Sequence, residues 1–204
     1  MILPIVAYGD PILRKMGAEI DAGYTELNQL IENMKETMNN AHGVGLAAPQ
    51  IGKAIRLFII DASPFAEDEE LDEKERNVLK NFKHVFINAE ILKEEGDEWA
   101  FNEGCLSIPE VREDVLRQEQ ITVTYQDEEF KSHSITLNGM AARIFQHEYD
   151  HIDGVLFTDK LSSLKKRLLK KKLDNISKGK IDVDYRMRFP KAKKKDKPLN
   201  HLKK

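Results

Sequence analysis

Between Thr25 and Asn40 the apolar residues Leu27, Leu30, Ile31, Met34 and Met38 recur at intervals of three and four. That spacing lines up side chains along one side of an α-helix. Asn39, Asn40 and Gly43 then supply its stop signals. The stretch Arg56–Asp61 reads differently: a short continuous apolar run bounded by Gly52 and Ser63-Pro64, which predicts a buried strand. His84–Asn88 resumes that pattern, and Glu98–Phe101, Ile121–Tyr125 and Phe130–Leu137 predict further strands. Residues 65–81 are crowded with Glu, Asp and Lys, which predicts an exposed insertion, helical near Glu73–Leu79. From Met140 to Ile152 helical spacing returns, with Met140, Ile144, His147 and His151 on one stripe and Gly154 as the stop. Leu161–Ile176 predicts a long basic helix, and Pro190 and Pro198 argue against helix beyond about Tyr185.

Strands and helices in this order lack regular βαβ alternation, so the expected fold class is α+β. Antiparallel sheets would pack around a central helix at 140–152, with an N-terminal helix and a C-terminal basic helix at about 161–178. The expected organisation is one domain over residues 1–182, with the acidic insertion at about 63–82. Residues 183–204 would be a basic tail, for which order and disorder both stay open. A chain of 204 residues can bury a substantial core. It has no apolar run near the roughly 20 residues that cross a bilayer, so no membrane partner is expected. The first residues have a short apolar stretch and no basic flank, which does not fit a secretory signal. The single cysteine cannot form an internal disulfide; a free thiolate ligand suits a reducing compartment, and the cytoplasm is the expected location.

Charge changes the picture at one end. The formal net charge is −3, yet residues 165–204 carry 17 Lys/Arg against 4 Asp, a net of +13, which leaves −16 on residues 1–164. A basic arm on an acidic body points to a polyanionic partner; the alternative is a solvated helix followed by a tail.

The densest chemistry lies in His147-Glu148-Tyr149-Asp150-His151. Histidines four apart share a helix face and can hold one metal, with Glu148 about 100° around from His147 and facing the same cleft. In hydrolytic HExxH sites the glutamate handles protons. The alternative is a helix whose histidines satisfy core hydrogen bonds, with Cys105 as a small buried hydrophobe. No Glu follows Glu148, and Asp153 and Asp159 lie too close to the helix end to serve as third ligand. Cys105, upstream, is the better donor because thiolates bind first-row metals tightly. Two imidazoles and one thiolate leave a coordination position for water, as in catalytic sites, and this donor set alone suggests zinc. The loop Gly43–Gln50 has neither the Lys-Ser/Thr of a P-loop nor a GxGxxG pattern, which argues against a nucleotide.

Gly43-Val44-Gly45-Leu46-Ala47-Ala48-Pro49-Gln50, Glu103-Gly104-Cys105-Leu106-Ser107 and His147-Glu148-Tyr149-Asp150-His151 resemble, in order and spacing, the three motifs of peptide deformylases. The similarity runs from Tyr8-Gly9-Asp10-Pro11 to about Leu161. It implies removal of the formyl group from the N-terminal formylmethionine of new polypeptides, releasing formate. It also implies Fe(II) as the metal, with zinc, nickel or cobalt able to substitute. By the same resemblance, Cys105, His147 and His151 are the metal ligands and Glu148 the general acid–base. The Gln50 amide and Leu106 N–H would be oxyanion donors. Val44, Gly45 and Gly104 would pair with the substrate as an added strand.

For the methionine side chain, the apolar candidates are Val44, Phe101, Met140 and Ile144, with His147 at the wall; for Met140 and Ile144 the alternative is ordinary core. Arg143 is expected to reach solvent at the mouth of that slot, and Arg112 to close one side of the cleft. Glu103 and Asp150 would orient ligands, with a surface ion pair as the alternative for Asp150. His42, His84, His133 and His201 are expected to be structural or exposed. Lys165–Lys172 offers a basic surface for ribosome contact. Two rival readings are a metallopeptidase acting on ordinary peptide bonds and an RNA-associated protein with a structural metal.

Overall fold

In the computed structural model, which describes residues 1–192, the chain runs β1 (Ile5–Val6), α1 (Leu27–Asn40), β2 (Gly45–Ala47), β3 (Leu57–Asp61), α2 (Glu73–Asn81) and β4 (Lys83–Cys105). It continues through β5 (Ile108–Gln126), β6 (Ser132–Asn138), α3 (Gly139–Ile152), α4 (Ser163–Ser177) and β7 (Met187–Arg188). Strands β2-β3-β4-β5-β6 form one sheet in that order, antiparallel throughout. This is the expected α+β arrangement.

The main difference from the sequence expectation is strand length. Glu98–Phe101 and Ile121–Tyr125 are fragments of β4 and β5, two long strands that pair almost end to end. Their middle sections are dense in charge (Glu90, Lys93, Glu94, Glu95, Asp97) and much of the outer hairpin is exposed. Hydrophobic alternation, the signal for a half-buried strand, is therefore faint there. Register shifts after Ile87, Ile91 and Glu95 disturb the alternation further. Phe130 lies outside β6 because its φ is +60°, in the turn that leads into Ser132.

The acidic stretch is not wholly solvent-exposed. Asp72 caps α2 by accepting from the Glu75 N–H at 2.8 Å, and Leu79 and Phe82 bury against the sheet. Under α3 lies an aromatic cluster, with Phe58 stacked on Phe86 and both meeting the Phe145 ring edge-on, at centroid distances near 5 Å. Ten of the 14 residues of α3 are buried, among them Arg143, Gln146, Glu148 and His151. A helix enclosed on nearly every side must pair such groups internally or carry the cost of leaving them unpaired; Gln146 is paired, whereas Glu148 Oε2 and His151 Nδ1 are not.

Beyond α4 the chain turns back. The Ile5 N–H donates to Arg186 O (2.8 Å) and the Ala7 N–H to Arg188 O (2.9 Å), so β7 lies parallel to β1. The segment expected as a tail from residue 183 thus contains a strand docked on the body; residues 193–204, and with them His201, lie outside the described residues.

Candidate metal centre

Cys105 ends β4 at the Leu106-Ser107 turn, and α3 delivers His147 and His151 to the same point. The ligand atoms of the three residues lie within 4.8 Å of one another. Cys105 Sγ is 3.3 Å from His151 Nε2. His147 Nδ1 donates to Glu103 Oε2 at 2.9 Å, which orients the ring; burial alone would lower its pKa, but Cys105 and Glu103 hold it well above normal in the metal-free protein, so a metal binding at Nε2 must displace a proton. Burial holds the His151 pKa well below normal, so that ring is neutral with a lone pair to donate. One soft thiolate and two imidazoles, close enough to share one centre, fit a divalent first-row metal.

Glu103 carries the electrostatics around this trio. Its buried carboxylate accepts from Arg117 Nε (2.7 Å) and Nη2 (2.9 Å), from Arg143 Nη1 (2.9 Å) and from His147. Burial alone would raise its pKa, but the hydrogen bonds from Arg117 and His147 outweigh that and hold it well below the usual carboxylate range. Arg117 also donates to Asp150 at 2.7 Å, tying strand β5 to α3. Asp150 therefore does both: it is joined to the buried network through Arg117 and, on its solvent side, pairs with Lys160 at 3.4 Å.

Glu148 is the opposite kind of carboxylate. It is 4% exposed, its Oε2 has no hydrogen-bond partner, and burial pushes its pKa up to about 7. A buried, unpartnered acid near neutrality facing a cleft is poised for proton transfer. Its position depends on Gly45, where an added Cβ would lie 2.3 Å from Glu148 Oε1. Gln50 is buried too. Its Oε1 accepts from the Ala47 N–H at 2.8 Å, which turns the amide NH₂ toward Cys105 Sγ, 3.5 Å away.

A cleft of 1740 Å³ opens over these groups. Val44, Gly45, Phe101, Gly104, Leu106 and Ile144 line it, together with Gln50, Cys105, His147 and Glu148. Met140 does not. It lies one turn before Ile144, about 6 Å back along α3, packed in the core and bordering a separate hollow beside Trp99 and Phe101. Arg143 borders the cleft as expected, but it is 2% exposed and does not reach solvent at its mouth. Its guanidinium stacks 4.3 Å over the Trp99 ring and donates to Trp99 O (2.6 Å), Val115 O (3.0 Å) and Glu103. Arg112 does line the cleft, held by Asn102 O at 2.6 Å. So does His42, whereas His133 pairs with Asp127.

Two features escaped the sequence reading. Arg117 sits in the unrecognised part of β5, and no local pattern distinguishes it among 32 Lys and Arg. The second had a clear signal. Ile181-Asp182-Val183-Asp184-Tyr185-Arg186-Met187-Arg188-Phe189 alternates apolar and charged residues without a break, the mark of a half-buried extended segment. In the structure the apolar set is half-buried, the charged set is mainly exposed, and Tyr185 borders the cleft.

A family profile described as Polypeptide deformylase matches residues 2–167. A peptide deformylase of Christiangramia forsetii is 65% identical over 194 residues, covering 95% of this chain and 99% of that relative. Among solved structures, a peptide deformylase from Legionella pneumophila superposes with a TM-score of 0.74 at 37% identity, over 88% of this chain and 98% of that one. The enzyme from Thermotoga maritima gives 0.69 at 37% identity, over 79% and 99%.

Proposed function

The chain belongs to the polypeptide deformylase family, and from that premise we propose that Cys105, His147 and His151 hold its metal while Glu148, Gln50 and Leu106 act on the formyl group. The reaction is hydrolysis of the formyl amide on the N-terminal methionine of new polypeptides, releasing formate. The observation that carries the residue assignment is the convergence of three soft and borderline donors beside a buried, unpartnered glutamate.

When bound, the metal supplies Lewis acidity and lowers the pKa of water in the cleft. Glu148 takes a proton from the attacking water and returns it to the methionine nitrogen as the C–N bond breaks. The Gln50 NH₂ and the Leu106 N–H donate to the oxygen on which negative charge develops. Val44, Gly45 and Gly104 offer main-chain groups to an extended peptide, a mode indifferent to side chains downstream. Val44, Phe101 and Ile144 form the apolar slot for methionine, with His147 at its wall. Glu103 keeps His147 in its ligating tautomer, and Arg117 and Arg143 keep Glu103 ionised.

For the metal we adopt Fe(II) from the family, with zinc, nickel or cobalt as substitutes. Metal analysis of protein purified without oxygen tests this, and zinc as the sole metal of fully active protein would refute it. Gln50→Leu is expected to lower kcat by roughly 10²–10³ with the metal retained; near-normal turnover in formate-release assays would remove Gln50 from the oxyanion site.

We place the enzyme in the cytoplasm, where its substrates are made; among the described residues no helix is long and apolar enough to cross a membrane. Helix α4 we read as a ribosome contact. It carries Lys165, Lys166, Arg167, Lys170, Lys171 and Lys172, and it presents Leu164 and Leu168 at 58% and 73% exposure. Phosphate contacts of this kind weaken steeply with salt. Reversing Lys170 and Lys171 to Glu should abolish co-sedimentation with ribosomes at low salt and leave hydrolysis of a short formyl peptide intact. Unchanged co-sedimentation of that variant would exclude α4.

A further inference from the structure

Residues 180–191 form a strap along one side of the cleft, beyond the stretch matched by the family profile, which ends at 167. Main-chain bonds fix it at several points: Ile5 N–H to Arg186 O (2.8 Å), Ala7 N–H to Arg188 O (2.9 Å) and Lys191 N–H to Ser177 O (2.9 Å). Its alternation turns Ile181, Met187 and Phe189 onto the apolar cluster of Val6, Leu13 and Ile108. Tyr185, in the same inward series, donates its hydroxyl to Leu106 O at 2.8 Å.

We infer that Tyr185 is a positioning residue for the reaction: it holds the Leu106 carbonyl, in the peptide group after the one that carries the Leu106 N–H, and so restricts the Leu106 φ and ψ that keep this N–H aimed at the formyl oxygen. The inference rests on the reading of Leu106 as an oxyanion donor. Leu106 and Ser107 make up the whole turn between β4 and β5, directly after the candidate ligand Cys105. Each of their carbonyls is held from outside that hairpin: Leu106 O by Tyr185, and Ser107 O by the Tyr8 N–H at 2.8 Å. Peptide groups are planar, so the freedom left to a turn lies in its φ and ψ angles. The Leu106 N–H sits between two fixed points, the Cys105 side chain on one side and its own pinned carbonyl on the other. The Leu106 side chain adds a third constraint, packed so closely on Gly43 that a Cβ there would come 2.7 Å from Leu106 Cδ1. A donor aimed in advance at developing charge needs no reorganisation during the reaction, and a lost anchor restores that cost.

The test compares Tyr185→Phe with the parent enzyme, both loaded with the same metal, on a formyl-methionyl peptide. Loosening a donor should cost less than deleting it, so kcat is expected to fall about tenfold, against roughly 10²–10³ for deletion. KM should stay within about twofold, the mark of an interaction used in the transition state alone. A second variant, with the Cys105–Leu106 amide replaced by an ester, removes the Leu106 N–H outright. In that background Tyr185→Phe should cost nothing further, because the group it positions is gone. A simple staple between strap and body would lower the unfolding midpoint equally in both backgrounds and leave kcat of the folded enzyme alone. Normal kcat in Tyr185→Phe, a change in KM only, or a rate loss matched by metal loss overturns the inference. If the ester variant turns over normally, the Leu106 reading fails and this inference with it. If the ester is slow while Tyr185→Phe is normal, only this inference fails.

Discussion

Glu148→Gln is expected to lower kcat by about 10²–10⁴, the usual range for losing a general acid–base, while fold and metal content stay as they were. The amide fills the same volume and can neither accept nor return a proton. Formate release with metal analysis on the same sample checks this, and turnover within tenfold of the parent would remove Glu148 from the proton path. The same variant should affect stability in the opposite sense. In the metal-free protein Glu148 has its pKa raised from 4.5 to about 7. Because the folded state holds that proton more tightly than the unfolded chain, stability falls as pH rises through the interval between those values. Above it, the ionised carboxylate costs on the order of 1–3 kcal/mol. Metal-free Glu148→Gln should therefore melt above the parent at pH 8 and show little advantage at pH 4.

Glu103→Ala should be the most damaging substitution for the fold. It would leave Arg117 and Arg143, both nearly inaccessible to solvent, without their shared carboxylate. Breaking a buried pair by removing one partner typically costs about 3–5 kcal/mol, because the remaining charge stays desolvated. His147 would also lose the acceptor that fixes its tautomer, and such losses weaken metal affinity by about 10–100-fold. Urea unfolding and competitive metal titration measure the two effects separately. Glu103→Gln, which keeps an acceptor oxygen but no charge, should fall between parent and alanine variant in both. A Glu103→Ala protein with parental stability would mean that the two arginines find other partners.

Much of this site could be read before folding because its essential residues sit in short local motifs. The turn that holds Cys105 and the single helical repeat that holds His147, Glu148 and His151 each leave a mark in the sequence, although their meeting depends on the end of β4 packing against α3. What escaped was whatever depends on distant pairing. Arg117 finds Glu103 through the register of two long strands, Trp99 opposite Arg117 and Glu103 opposite Glu113, which only the assembled hairpin defines. Arg143 is expected to reach solvent at the mouth of the slot, as a charged side chain commonly does; the enclosure of α3 overrides that tendency. Met140 shows the limit of helical phase. It shares a stripe with Ile144 and His147, yet a shared face does not bring a residue one turn away into the same cleft. The alternation over 181–189 was legible, and the neighbouring lysines and prolines hid it by suggesting a solvated end.

The pairing of β1 with β7 joins Ile5 to Met187, 182 positions apart. Such a ladder cannot close until residues 187 and 188 have left the exit tunnel, so β1 waits unpaired while the chain between its two strands is made. The five strands β2–β6, whose partners all lie within residues 45–138, need neither end of that ladder, so the central sheet can form before it closes.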